Sequence, residues 1–513
     1  MPAASTARGG LLVSAGIVAS RLVGLVRQRV VAHHLGTSDA ADALAAAFRV
    51  GNITQNLLGE GALSASFVPV YVRLREGGGG RASSFARAAL GALLPVAFAV
   101  SALGVLAAPT LAGLVGSGFT GDKLALTASL VRVLFPMTGV LVAAAWALGV
   151  LTSHRRLFLP YAAPVLWSVA QIVAVVIAAS RRGVTREGLA MAVAWGALAG
   201  ALLQVLVMLG PVRSLLGSLV PRFDLDDPAV REAASKLPGS LLGRGVMQLS
   251  ALIDTAMVGT LGAGALASVT YAQTIYLLPM ALLGTGEAAA ALPELSRGAA
   301  LDDARKAALR ASLGASLGRV VPLAAGATTA FLATGTEITT LLLRGGQFNQ
   351  TSTHDVTRVL AAYALALPAN AASRMLATTC YALGDTSRPA RYATARVAVS
   401  TACSLALLGP LGAPGVVLGS VAGAWVELAL LAVLVRDKIG GTGASRVPFG
   451  PLLAACAVCA SLGGIARYFA VRAELNVYVS AALVLALAGG GFAAACGALG
   501  VVDVRAVLRR RGR

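Results

Sequence analysis

The 513-residue chain is short of charge: Asp, Glu, Lys and Arg together make up 12% of it, about half the share of a soluble domain. Aromatic residues are scarce as well, at 5%. Basic residues do not alternate with aromatics, which argues against nucleic acid as a partner. Five cysteines occur, Cys380, Cys403, Cys456, Cys459 and Cys496, all in or beside apolar segments. Cys456 and Cys459 form a CxxC without a second ligand pair or a nearby His, so the pair reads as packing residues and not as a metal site. The four histidines, His33, His34, His154 and His354, lack ligand spacing, and no metal or cofactor is expected. A GxxxxGK[ST] phosphate loop is missing, which argues against ATP hydrolysis. The first apolar stretch is not followed by a small-residue cleavage site, so a cleaved signal peptide is not expected.

What the chain has in quantity is apolar sequence. Hydrophobic residues reach 57%, mean hydropathy is +0.79, and long apolar runs recur from residue 84 to residue 500. About 20 such residues cross the hydrocarbon core as a helix, and the runs are too long for barrel strands. An all-α polytopic membrane protein is expected, with fourteen candidate spans between residues 10 and 500. The formal net charge of +20 is unevenly placed. Connections after even-numbered spans hold Arg73, Arg75, Arg155, Arg156, Arg222, Arg231, Arg305, Lys306, Arg388, Arg391, Arg436 and Lys438. The opposite connections hold little beyond Lys123, Arg181, Arg182, Arg186, Arg344 and Arg472. Basic residues accumulate in cytoplasmic loops, so both termini are expected in the cytoplasm. The polar connection "GSLVPRFDLDDPAVREAASK" divides the spans six and six, and "RDKIGGTGASRVPFG" precedes two more. The expected organisation is an N-terminal lobe, 1–222, a C-terminal lobe, 223–440, and two further helices in 441–513. Two bundles around a central site are a common transporter plan.

Ionisable residues inside spans are costly and usually face a wet cavity or a partner. The first span contains "SRLVGLVRQRV", with Arg21, Arg27 and Arg29 around Gly24, which permits a bend. The second contains "GNITQNLLGEG", with Asn52, Gln55, Asn56 and Glu60, preceded by Arg49. The seventh carries Arg244 and Asp254, the eighth Glu287 and the twelfth Glu427. The arginines either line a basic, hydrated chamber, where their forked donors suit a phosphate, or snorkel to the headgroups and pair with Asp39 and Asp42. The chamber is favoured for the cluster, the second alternative for Arg29 alone. A span lining such a chamber needs an apolar back and a polar front, and "GNITQNLLGEG" supplies the polar residues. Glu60 either neutralises a buried Arg or sits in the chamber, and Glu427 is expected to be a structural partner. Asp254 is the candidate for binding Na⁺ or a proton, the alternative being a pair with Arg244. Asp224, Asp226 and Asp227 form a DxDD, read as acids favoured at a helix N-terminus and not as a Mg²⁺ site.

The stretch "SRLVGLVRQRVVAHHLGTSDAADALAAAFRVGNITQNLLGEGALSASFVPVY" resembles the opening of the MurJ (MviN) lipid II flippases. "YAQTIYLLPMALLGTGEAAAALPELS" and "CYALGDTSRPAR" are similar to later motifs of that family. The resemblance covers essentially the whole chain. It implies two six-helix lobes in a V around a cationic cavity, and two C-terminal helices forming a groove for a lipid tail. It also implies transport of an undecaprenyl-pyrophosphate-linked peptidoglycan precursor across the bacterial cytoplasmic membrane. By position, Arg21 and Arg27 match the family's cavity arginines and Ser20 precedes the first; Asp42, Asn52 and Glu60 match its Asp, Asn and Glu. The chain departs from the family at Gln55 and Thr274, where Arg is frequent. Arg244 sits where many relatives are neutral, and is expected to replace part of that charge. These departures leave room for another polyprenyl-linked glycan. A cation-coupled drug exporter shares the architecture, but the arginines argue against it. Coupling to Na⁺, H⁺ or the membrane potential is expected, with membrane lipids as surroundings and a monomer as the working unit.

Overall fold

The computed structural model of the protein describes residues 3–58, 60–78, 80–284, 303–444 and 447–501. Among these the architecture is helical, and the only β-type pairing is an isolated bridge between Gly345 and Phe348. Ten helical segments are long and apolar enough to cross a membrane, so the expected all-α membrane architecture is what the chain adopts. The described helices α1 (Ala3–Leu35), α2 (Asp39–Leu58), α3 (Glu60–Glu76), α10 (Pro228–Gly259) and α11 (Ala265–Gly284) are not among the ten. Each of these five carries a residue singled out above as a site candidate. α2 and α3 both fall in the second expected span, and residue 59 between them lies outside the described residues. Glu287 lies outside the described residues.

The residues group into two compact units: 1–267 with 345–348, and 268–344 with 349–513. The first unit also contains α4 (Arg81–Leu106), α5 (Ala108–Val115), α6 (Gly121–Ser153), α7 (Phe158–Ala162), α8 (Pro164–Ala179) and α9 (Arg186–Leu216). α6 is its central post, packed by α2, α3, α4, α5 and α9. Its core stacks Phe67 between Tyr71 and Phe85, with ring centroids 5.4 and 5.2 Å away. Trp146 is buried beside them and donates its indole N–H to the Ala86 carbonyl at 2.9 Å, which removes the cost of burying that donor.

The seam between α8 and α9 decides the geometry of the candidate site. Gly196 and Gly200 stand four apart on α9. A Cβ on Gly196 would lie 2.7 Å from the Ala174 Cβ and 2.9 Å from the Gln171 Cα; on Gly200 it would lie 2.7 Å from the Trp167 Cα. Only glycine admits this approach, the small-residue packing that membrane helices use in place of hydrophobic attraction. It fixes the stretch of α8 that bears Trp167 and Gln171.

The second unit contains α12 (Asp303–Leu343), α13 (Gln350–Ala364), α14 (Leu367–Ala382), α15 (Ser387–Leu411), α16 (Ala413–Ile439), α17 (Phe449–Arg472) and α18 (Val477–Ala498). α12 is kinked at Thr334, whose φ of −128° and ψ of 23° leave the helical region. Arg467 of α17 meets this kink. It donates to the Ala333 carbonyl at 2.6 Å and bidentately to the buried Glu337 at 2.6 and 2.7 Å. Glu427 is a structural partner, as expected: it accepts from Arg396 at 2.7 Å, and Arg396 also donates to Asn370 at 3.0 Å.

Candidate functional site

Arg27 leaves the packed side of α1 towards α8. Its guanidinium carbon stands 4.8 Å from the centroid of the Trp167 ring, and Nη1 donates to the Gln171 Oε1 at 3.1 Å. Gln171 is fully buried, and its amide nitrogen donates to the Trp167 carbonyl at 3.0 Å. That bond fixes the amide so that its oxygen faces the arginine. Trp167 in turn meets Phe48 of α2 edge-on at 6.0 Å and directs its indole N–H at the Met137 sulfur, 3.4 Å away. One indole therefore connects an arginine of α1 to the α2 helix. Among the described residues no carboxylate pairs with Arg27, so its charge has only neutral partners.

The rest of α1 divides by face. Leu22, Val26, Arg21 and Arg29 are exposed, Ser20 and Gly24 are half-buried, and Gln28 is buried. The helix runs unbroken through Gly24, and a Cβ there would meet nothing within 4 Å. On α2, Asn52 and Asn56 are exposed and Phe48, Arg49, Ile53 and Gln55 half-buried, while Ala43, Leu44, Ala46, Ala47 and Val50 are buried. Successive helical residues turn by 100°, so Arg49, Asn52 and Asn56 share one face. Of the segment expected to have a polar front, 51–61, the described side chains place Asn52 and Asn56 in exposed positions and Gln55 in a half-buried one.

Asp42 is buried. It accepts from the backbone N–H of Gly264 and of Ala267, both at 2.8 Å, and from Lys123 Nζ at 2.6 Å. Its carboxylate thus caps the first turn of α11, where a negative group is favoured. Lys123 also reaches Asp39 at 2.7 Å. Asp39 and Asp42, the acids offered as alternative partners for the arginines of α1, are thus both engaged by a lysine from α6. Gly264 has φ +82°, and a Cβ on it would lie 2.4 Å from the Thr37 carbonyl oxygen. That contact holds the start of α11 against the α1–α2 turn.

The other candidates are more dispersed. Thr274 is half-buried on α11 and spends its hydroxyl on the Thr270 carbonyl at 3.0 Å. Asp254 is half-buried on α10. The side chains of Glu60 and Arg244 lie outside the described residues. The DxDD acids have local roles. Asp227 caps α10 through the Ala229 N–H at 2.8 Å, Asp226 pairs with Arg231 at 2.5 Å, and Asp224 lies 3.8 Å from Arg222. Among the described residues no group of His, Cys, Asp and Glu is arranged to hold a metal.

Trp167 and Gln171 were not singled out from sequence. They lie in an almost uniformly apolar span, and the only signal was a lone Gln one helical turn after a Trp.

A family model described as lipid II flippase MurJ matches residues 31–489. A probable lipid II flippase MurJ of Rhizobium meliloti is 31% identical over 470 residues, covering 90% of this chain and 85% of the relative. A lipid II flippase MurJ of Burkholderia cenocepacia is 31% identical over 438 residues, 84% of each chain. Among solved structures, a lipid II flippase MurJ in an inward closed conformation matches with a TM-score of 0.77 over 95% of this chain and 98% of the other, at 18% identity. An inward-facing multidrug resistance MATE family transporter of the MOP superfamily matches with a TM-score of 0.67 over 82% and 94%, also at 18% identity. At these identities the two structures speak for the fold.

Proposed function

The chain belongs to the lipid II flippase MurJ family, and on that premise we propose that it moves lipid II from the cytoplasmic to the outer leaflet of the bacterial cytoplasmic membrane by alternating access. The observation that carries this reading is Arg27, an arginine within a membrane-protein helix pack whose described partners are an indole face and a neutral amide. A guanidinium held in place but not neutralised is suited to a diphosphate, which its forked donors can bind bidentately.

The obstacle to transport is about 30 Å of hydrocarbon that a sugar-diphosphate headgroup cannot enter unaided. In the proposed mechanism Arg21, Arg27 and Arg49 receive the diphosphate in a hydrated central chamber, with Asn52, Gln55, Glu60, Arg244 and Thr274 completing it. The lobes 1–222 and 223–440 form a V around this chamber, and the helices of 441–513 hold the lipid tail. Like charges repel while the chamber is empty and relax when an anion enters. The anion then binds one state better than the other, which any ligand-driven shift requires. The protein acts as a transporter, without covalent chemistry or a cofactor, as a monomer with both termini in the cytoplasm. Coupling uses the membrane potential or a Na⁺ or H⁺ gradient, with Asp254 as the cation-binding residue.

A second cargo is favoured by one observation: Gln55 and Thr274 are neutral where the family resemblance leads one to expect arginine. That weakens the diphosphate site and leaves a different polyprenyl-pyrophosphate glycan as the alternative. Complementation of a strain depleted of its lipid II flippase, followed by binding of purified lipid II, distinguishes the two. Growth that Arg27→Ala abolishes supports lipid II. A membrane-inserted, folded chain that neither complements nor binds lipid II overturns it. In the same strain, full growth with Arg244→Ala alongside loss with Arg21→Ala would remove Arg244 from the charge-compensating role. Reconstitution with and without Na⁺ tests the coupling.

A further inference from the structure

A cavity of about 550 Å³ opens in the first unit, away from Arg27 and its partners. Three segments line it: the last turn of α1 with His33 and His34, the connection from Ala179 into the first turn of α9 with Arg181, Thr185 and Arg186, and the loop at Gly346 and Gln347. The loop is fastened to α1. Gln347 donates its backbone N–H to the His33 carbonyl at 2.8 Å. Gly346 has φ +56°, and a Cβ there would lie 2.4 Å from that carbonyl oxygen, so the approach needs glycine. Arg186 reaches across to the Gln347 Oε1 at 2.5 Å. The two imidazoles meet edge to face at 5.0 Å.

The lining is cationic. Arg181 and Arg186 contribute two guanidinium groups, His33 and His34 two groups that can take a proton, and no carboxylate lines the cavity. The nearest acid in sequence, Glu187, is engaged with the Thr185 hydroxyl and its own backbone, with Arg186 beside it. Arg181 and Arg186 are also out of place by the charge distribution. Their connection belongs to the set opposite the basic loops, where arginine is disfavoured. An arginine kept there against that bias needs a purpose, and a walled cavity without an acid supplies one.

We infer that this cavity binds a phosphate-class anion on the outward face of the protein, with Arg181 and Arg186 as the fixed cations and His33 and His34 as protonatable donors. The orientation rests on the transport function proposed above. The same chemistry fits the diphosphate of the cargo after crossing and the phosphate of an outer-leaflet phospholipid. His34 takes up a proton less readily than an ordinary histidine, because it is partly buried and His33 stands beside it. An anion in the cavity opposes both effects, so binding strengthens as pH falls through the histidine range.

The chain contains only four histidines, which makes ring NMR of the full-length protein in nanodiscs site-specific. With inorganic pyrophosphate at saturation, the titration midpoint of His34 is expected to rise by about one pH unit. Arg181→Gln with Arg186→Gln abolishes the rise, and Arg181→Lys with Arg186→Lys, which keeps the charge, retains most of it. A midpoint that does not move, or a rise that survives the double Gln variant, overturns the site. Zwitterionic nanodiscs with pyrophosphate, compared with phosphatidylglycerol nanodiscs without it, show which source of phosphate the cavity accepts. Complementation without the rise overturns this inference alone; the rise in a folded chain that neither complements nor binds lipid II overturns the transport reading and leaves the anion site standing without its orientation.

Discussion

The guanidinium of Arg27 rests on the face of Trp167, 4.8 Å from the ring centroid, while one of its nitrogens donates to Gln171. Stacking and an in-plane hydrogen bond use different faces of the same planar group. A lysine ammonium has no such plane and cannot satisfy both. Arg27→Lys is therefore expected to lower lipid II binding by about tenfold or more although the charge is kept. Trp167→Leu should weaken binding in the same direction with Arg27 intact. Binding to purified protein is the measurement; equal affinity in Arg27→Lys would mean that only charge matters at this position.

Gly200 tests whether that geometry depends on helix packing. Its α-carbon faces the Trp167 backbone, with no room for a side chain. Gly200→Val should cost about 1–3 kcal/mol through overpacking, seen as a lower thermal midpoint in detergent. Because the displaced residue is Trp167, lipid II binding should fall as well. A loss of stability at unchanged affinity would separate the seam from the site.

Asp42 joins an ion pair to a helix cap. The two backbone N–H groups reach different oxygens of Asp42, so Asp42→Asn keeps an acceptor for one of them and removes the charge facing Lys123. Asp42→Ala removes both and strands a half-paired lysine. The alanine variant should lose about 3–5 kcal/mol, the range for breaking a buried pair, and the asparagine variant clearly less. Comparing the two thermal midpoints checks the order.

His154 predicts a pH effect of definite sign. It caps the C-terminus of α6 and its Nε2 lies 2.9 Å from the Tyr71 hydroxyl. Burial, and then the cations Arg75 and Arg156, hold its proton affinity below the ordinary value. The unfolded chain therefore takes up the proton first. The contribution of His154 is complete above the unfolded midpoint near about 6.5 and declines as pH falls towards the lower folded midpoint. His154→Gln should lose less stability than the natural chain as pH falls below about 6.5. Equal acid sensitivity in thermal unfolding would count against this role.

Much of the architecture was legible before any coordinates, because hydrocarbon imposes one rule on every span. The polarity of α2 was legible as composition, in Asn52, Gln55 and Asn56, but which of them face outward was not: Asn52 and Asn56 are exposed and Gln55 is half-buried. The cap on α11 was not legible either. Asp42 finds Lys123 and the Gly264 and Ala267 N–H groups across 81 to 225 residues of chain, and nothing local to Asp42 names them. Trp167 and Gln171 were hidden in another way, since what makes them a cradle is the absence of side chains on Gly196 and Gly200 of the next helix. In a chain with 59 glycines, no single GxxxG announces itself.

Arg467 ties the fate of the last two helices to the bend in α12. At Thr334 that helix abandons its ladder, and the carbonyl of Ala333 is answered by a guanidinium from α17. Take α17 away and Glu337 is left as a lone negative charge in an apolar wall, with the exposed carbonyl one turn earlier. A chain cut short before Phe449 would therefore not be the same transporter minus an accessory. It would have to straighten α12 or take water into its wall, and the second unit would relax into a different body.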